Sequence, residues 1–339
     1  MPSQIRNADS APIDDTSILK RLTKDVVIGS TLDRENGDMG PRALAIAPTT
    51  YGLKKGQLLV CNFEDSSGVA GNGTTIEVLN PTRGSNPRRF AQSDDIKGCN
   101  AVAITSDNQV YAAGMNGTGL VLFNQDGKQV AALPIKAPFD DAYAPPGNLY
   151  APEYVFVSDR AGSLISLSFG AYGTGKTLQV ATGFADNAKT GWAALGTTGL
   201  QYDSKANALY IVDGVNDTVV EFTDANSLLE RNEIVVEKGG KTFKCLHPQT
   251  TCGKLVYSGS PLKAPDAATI LPNGNLIIAN AGNNTLVELT PSGRVLDTKS
   301  VDSSKAPGIF GLAASGTSDR NTVLFFTDKN RNNVQELKP

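Results

Sequence analysis

The chain has 339 residues, including 34 glycines and 18 prolines, with charged residues at 19% and a formal net charge of −3. That near-neutral balance, with Arg83, Arg88 and Arg89 as a local solvated cluster, excludes the basic footprint of a nucleic-acid binder. No apolar run approaches the roughly 20 residues of a membrane helix, and no hydrophilic tract marks disorder, which leaves a turn-rich β domain.

The chain opens on MPSQIRNADSAPIDD, which lacks the charged start, apolar stretch and small-residue cleavage site of a signal peptide. Its polar character fits a mature exported protein or a cytosolic start equally well. DDTSILKRL is the one fair helix candidate, with Asp15 or Thr16 as its cap.

From there a repeat of two linked apolar segments runs to the end. RALAIAP at Arg42 is followed by LLVCNFEDSSGVAGNGTTIEVLN from Leu58, and NAVAITSDN at Asn100 by VYAAGMNGTGLVLFN from Val110. GNLYAP at Gly147 precedes VFVSDRAGSLISLS from Val155, and TGLQYDS at Thr198 precedes IVDGVNDTVVEFT from Ile211. DAATILPNG at Asp266 leads into IIANAGNNTLVELT, and FGLAASG at Phe310 into FFTDKNRNNVQEL. Turns such as SDNQ, SKANA and PNGN separate the segments, and KQVAALPI, KTLQVAT and RVLDTKS supply further hairpin partners. Each unit reads as a four-stranded meander too small to be stable alone. Six in a row predict an all-β, six-bladed β-propeller around a central channel, over residues 39–339. The sixth unit ends without an outer partner, so a strand near Val26–Ser30, within the N-terminal segment 1–38, is expected to close the ring.

The four cysteines are Cys61, Cys99, Cys245 and Cys252. Cys245 and Cys252 flank LHPQTT without zinc-site spacing, so a disulfide is preferred over free thiols. Two disulfides would place the protein in an oxidising compartment, secreted or periplasmic. Asn-x-Ser/Thr triplets at Asn72, Asn116, Asn216 and Asn283 are read as turn chemistry.

The unit resembles the NHL repeat, and the whole resembles the six-bladed group of gluconolactonase/SMP-30, strictosidine-synthase-like proteins and virginiamycin B lyase. The resemblance implies that the first strand of each blade lines the channel. Its starting positions, at the channel mouth, would be Arg42, Asn100, Asn148, Thr198, Asp266 and Phe310. Cys61 and Cys99 would then lie near that mouth in adjacent blades, close enough to bridge. In the gluconolactonase type a divalent ion sits on the axis, which would make Asn100, Asn148 and Asp266 ligands for calcium or another divalent cation. The opening Glu of that ligand set is replaced by Arg42, which would instead pair with Asp266 and depress its pKa. His247, the only histidine, falls in the cysteine loop, away from any lyase position. Asp140–Asp141 and Glu64–Asp65 read as solvated pairs.

Three long loops are expected to open on the mouth, at 64–74, 136–147 and 184–197. They carry Phe139, Tyr143 and the single tryptophan, Trp192. Together these features predict a monomeric recognition propeller for a small molecule, glycan or protein. The alternative is a metal-dependent lactonase using the axial ring.

Overall fold

The computed structural model describes residues 16–148, 151–169, 175–186 and 196–339. Six antiparallel blades surround one axis. The inner strands are Met39–Ile46, Cys99–Ile104, Pro138–Ala144, Thr197–Asp203, Pro265–Ile270 and Ile309–Ser315. Ala, Gly and Thr recur along them because the strands converge there. A Cβ added to Gly311 would stand 2.5 Å from the Arg42 carbonyl oxygen of the next blade, and one on Gly199 would meet Val212 at 2.9 Å.

The gaps between blades hold the hydrophobic core. Leu59, Cys61, Ile76 and Val78 of blade 1 pack on Val102, Val110, Ala112 and Val121 of blade 2, and equivalent clusters fill the other gaps. Val, Ile and Leu dominate the second and third strands because each face of a blade is covered by a neighbour.

Ring closure uses the strand Lys24–Ser30, which runs antiparallel to the last strand, Asn333–Lys338, pairing Lys24 with Lys338 and Ser30 with Asn333. Just before it, the helix Ile18–Arg21 is capped by Ser17, whose hydroxyl accepts from the Lys20 amide. The cap is thus neither Asp15 nor Thr16. Buried Glu288 fixes that choice: it accepts from the Ser17 hydroxyl at 2.7 Å and the Leu19 amide at 2.8 Å, holding Ile18, Leu19 and Leu22 in the gap between blades 5 and 6.

Two departures from the simple repeat stand out. In blade 3 the inner strand is Pro138–Ala144, not GNLYAP, whose two central residues lie outside the described ones. In blade 4 a hairpin, Ile234–Glu237 with Thr242–Cys245, is inserted before the outer strand Gly253–Ser258 and extends the outer edge of blade 3 through Ala181 and Thr182. Covering that edge removes unpaired backbone groups from solvent. The Cys245–Cys252 disulfide ties this hairpin to the strand that follows, and Cys61–Cys99 joins blades 1 and 2. Among the described residues, no helix is long and apolar enough to cross a membrane.

Candidate functional site

Every inner strand carries a register shift near its start, where the bulge frees one or two residues from the ladder. Bulges re-aim side chains, and here they form a ring of Arg42, Asn100, Phe139, Thr198, Asp266 and Phe310. Five of these are the positions expected from the sequence. In blade 3 the place belongs to Phe139; Asn148 is exposed in the loop beyond the strand, where its Oδ1 accepts from the Ala151 amide.

The mouth is filled by its own side chains. Arg42 Nη2 donates to Asp266 Oδ1 at 2.9 Å, with both side chains buried. The guanidinium carbon lies 4.5 Å from the Phe310 ring centroid and 4.9 Å from that of Phe63, so aromatic faces cover the charge that Asp266 does not. Asn100 donates to the Pro138 and Phe139 carbonyls, stitching blade 2 to blade 3, and accepts from the Met115 amide within its own blade. Phe139 is buried against Phe63 and Met115, as part of the plug and not of a loop. Above them, Lys329 and Glu64 pair at 2.7 Å beside a crevice of about 10 Å³.

Burial pushes Asp266 up to about 6, although the Arg42 guanidinium and the Thr198 hydroxyl pull the other way. The expected depression is therefore reversed: losing water costs the carboxylate more than one cation returns.

The ligand set for an axial metal does not assemble. Asn148 is exposed in a loop beyond the inner strand, the Asn100 oxygen already accepts from the Met115 amide, and Asp266 faces a fixed cation. Among the described residues no group of three or more His, Cys, Asp or Glu side chains is placed to hold a metal.

Below the plug the channel is polar and hollow. Asp140 and Asp141, expected to be solvated, follow Phe139 down the inner strand into the axis. Asp140 Oδ2 accepts from the Leu200 amide at 2.6 Å; neither oxygen of Asp141 has a hydrogen-bond partner among the described residues. Burial holds both carboxyls well above the usual range, with the neighbouring acid adding to the rise at Asp141. Asn100, Asp140, Asp141, Thr198 and Phe310 line a cavity of about 40 Å³. Beyond it a cavity of about 260 Å³ opens at the far end, lined by Asp141, Tyr143, Gln201, Tyr202 and Thr269. Tyr143 thus stands at the opposite end of the channel from the mouth, donating its hydroxyl to Glu153 at 2.9 Å. Trp192 lies outside the described residues. His247 is exposed in the disulfide loop, 2.7 Å from Glu230, which raises its pKa.

No family model and no curated protein matches the chain. Solved structures do. A gluconolactonase from Xanthomonas campestris is 11% identical with a TM-score of 0.63, covering 98% of this chain and 96% of its own. Virginiamycin B lyase from Staphylococcus aureus is 14% identical with a TM-score of 0.56, over 93% and 98% of the two chains. A catalytically inactive histidine-to-alanine variant of that lyase, solved with quinupristin, matches at 14% and 0.54, over 93% and 88%. At such identities the likeness is one of fold.

Proposed function

We propose that this chain is an exported NHL-type propeller that recognises a small molecule, glycan or protein on its mouth face and does not catalyse. The observation that carries this reading is the Arg42–Asp266 pair, buried under Phe310 and Phe63 where an axial metal would have to sit. A guanidinium held on the axis repels a divalent ion, and the Asn100 amide is already bonded to its neighbours. The lyase neighbour is inactive when one histidine becomes alanine, whereas the sole histidine here, His247, sits in a surface loop. The two disulfides support export. The surface left for recognition is the rim around the plug, including the 64–74 loop, where Val69 is about half exposed (49%).

Calorimetric titration with calcium, zinc and manganese, paired with a lactone-hydrolysis panel in each metal, tests this. Flat titrations and background hydrolysis are expected. Stoichiometric binding of any of the ions together with turnover would replace the reading with a metal-dependent lactonase.

A further inference from the structure

We propose that one proton shared between Glu77 and Asp33 fastens the connection from the ring-closing strand to blade 1, and that this connection loosens as the surroundings turn alkaline. The device acts on ring closure and does not rest on the recognition reading above.

Residues 31–38 carry the chain from Lys24–Ser30, the outermost strand of blade 6, to Met39–Ile46, the innermost of blade 1. Asp33 organises this passage. Its Oδ1 accepts from the Glu35 and Asn36 amides at 2.7 and 2.8 Å, and its own amide donates to the Asp38 carbonyl at 2.9 Å. Blade 1 then grips it with a fork. Arg89 Nε donates to Asp33 Oδ2 at 2.7 Å and Nη2 to Oδ1 at 2.6 Å, while Nη1 reaches Glu35 Oε2 at 2.7 Å.

Glu77 stands opposite Arg89 in the adjacent strand. It is 1% exposed, its Oε1 has no hydrogen-bond partner among the described residues, and its carboxyl is hydrogen-bonded to Asp33. The charged groups facing Glu77 are Asp33 and Glu35 on the connection and Arg89 on the neighbouring strand. Three acids thus meet one cation. Two carboxyls in contact, both at 2% exposure or less, hold together only if one of them carries a proton. The donors decide which. Asp33 has the guanidinium fork and two amides, and Glu77 has neither, so the proton resides on Glu77 and is donated to Asp33. Burial, followed by the hydrogen bond and charge of Asp33, pushes Glu77 up to about 9. Burial opposes the Asp33 charge as well, yet Arg89, Glu77 and the two amides hold that carboxyl well below its ordinary range.

The connection between blades 1 and 2 supplies the contrast. There Asp95 is held by the Thr118 hydroxyl and the Gln129 amide, neutral groups that do not titrate. Once the Glu77 proton leaves, its bond to Asp33 becomes a repulsion between buried like charges, which exposure to water relieves. Opening the connection therefore releases a proton, because Glu77 returns from about 9 to its ordinary value of 4.5. Opening grows easier through that whole window as pH rises, then levels off.

The test is amide hydrogen exchange of the full chain between pH 6 and 8, with rates corrected for intrinsic exchange. In the wild type, protection of the Asp33, Glu35, Asn36 and Gly37 amides is expected to fall by about tenfold per pH unit, the mark of one proton released on opening. The Asn116 and Thr118 amides, bonded to the neighbouring connection, should hold steady. Glu77→Gln keeps the shape and a donor for Asp33 but cannot titrate, so its protection over 33–37 should be flat across the same range. A carboxyl-carbon NMR titration of wild-type Glu77 gives a second reading, with a midpoint at about 9. The proposal is overturned by pH-independent protection in the wild type, by an equal fall in Glu77→Gln or at Asn116 and Thr118, or by a Glu77 that titrates like an exposed carboxylate.

Discussion

The two ends of the channel are built from the same six strands and both contain buried aspartate, yet they treat it oppositely. At the mouth, Asp266 is locked to Arg42 at 2.9 Å and roofed by Phe63 and Phe310. At the far end, Asp141 borders a cavity, but its two carboxylate oxygens are buried and have no hydrogen-bond partner among the described residues. A buried carboxyl that its own fold satisfies helps to hold the ring together, whereas one left without donors costs stability. The difference separates a satisfied end of the channel from an unsatisfied one along one axis.

The broadest way to break the comparison is to open the ring. Removing residues 1–30 deletes the strand paired with Asn333–Lys338 and the fully buried Ile18, Leu19, Leu22 and Ile28. That should cost more than about 6 kcal/mol of buried aliphatic surface and lower the melting temperature sharply by calorimetry. An unchanged midpoint would mean that the ring does not depend on this closure.

Arg42→Ala strikes the mouth alone. Leaving Asp266 buried without its cation should cost about 3–5 kcal/mol near neutral pH. The sign with pH follows from the raised pKa. Asp266 holds its proton up to about 6 in the fold, so the native state binds protons more tightly than the unfolded chain and loses stability as pH climbs through that window. Without Arg42 the carboxyl rises further. The deficit against wild type should therefore be largest near pH 8 and shrink toward about pH 4, as read from urea midpoints.

The disulfides rank next. Cys61–Cys99, beside Asn100 at the mouth, closes a separation of 38 residues, whereas Cys245–Cys252 closes 7 at the periphery. Paired Cys→Ser replacements should cost about 4 and about 2.5 kcal/mol respectively in the chain-entropy model, measured by denaturant unfolding. A reversed order would argue against the mouth as the stiffer end.

The smallest effect has the opposite sign. Asp141→Asn should stabilise the fold by about 1–3 kcal/mol at neutral pH, because it replaces a carboxyl whose ionisation burial opposes and that has no hydrogen-bond partner among the described residues. With its folded pKa raised, Asp141 weakens the fold progressively above the ordinary carboxylate value, so the variant's advantage should fade toward about pH 4.

Much of this was legible in the residues alone. The apolar pairs separated by short polar turns predicted six blades, and the starts of five inner strands located Arg42, Asn100, Thr198, Asp266 and Phe310. Blade 3 was misread because PFDDAYA, with a proline and two acids, violates β propensity; inside a channel, acids can face a cavity instead of a core. A signal was present. GNLYAP abuts the next strand at Glu153 and leaves no residues for a hairpin turn, whereas Pro138–Ala144 leaves eight. The inserted hairpin of blade 4 left no such trace, since its pairing with the edge of blade 3 is long-range. The Asp266 shift was missed for an energetic reason: opposite charge was weighed and desolvation was not.

The most direct measurement is a carboxyl-carbon NMR titration of Asp266 and Asp141 in wild type and Arg42→Ala. The account predicts Asp266 titrating near 6 and moving upward without Arg42, while Asp141 titrates well above the ordinary range and is indifferent to that change. An Asp141 that titrates like an exposed carboxylate, or an Asp266 unmoved by the loss of Arg42, would contradict it.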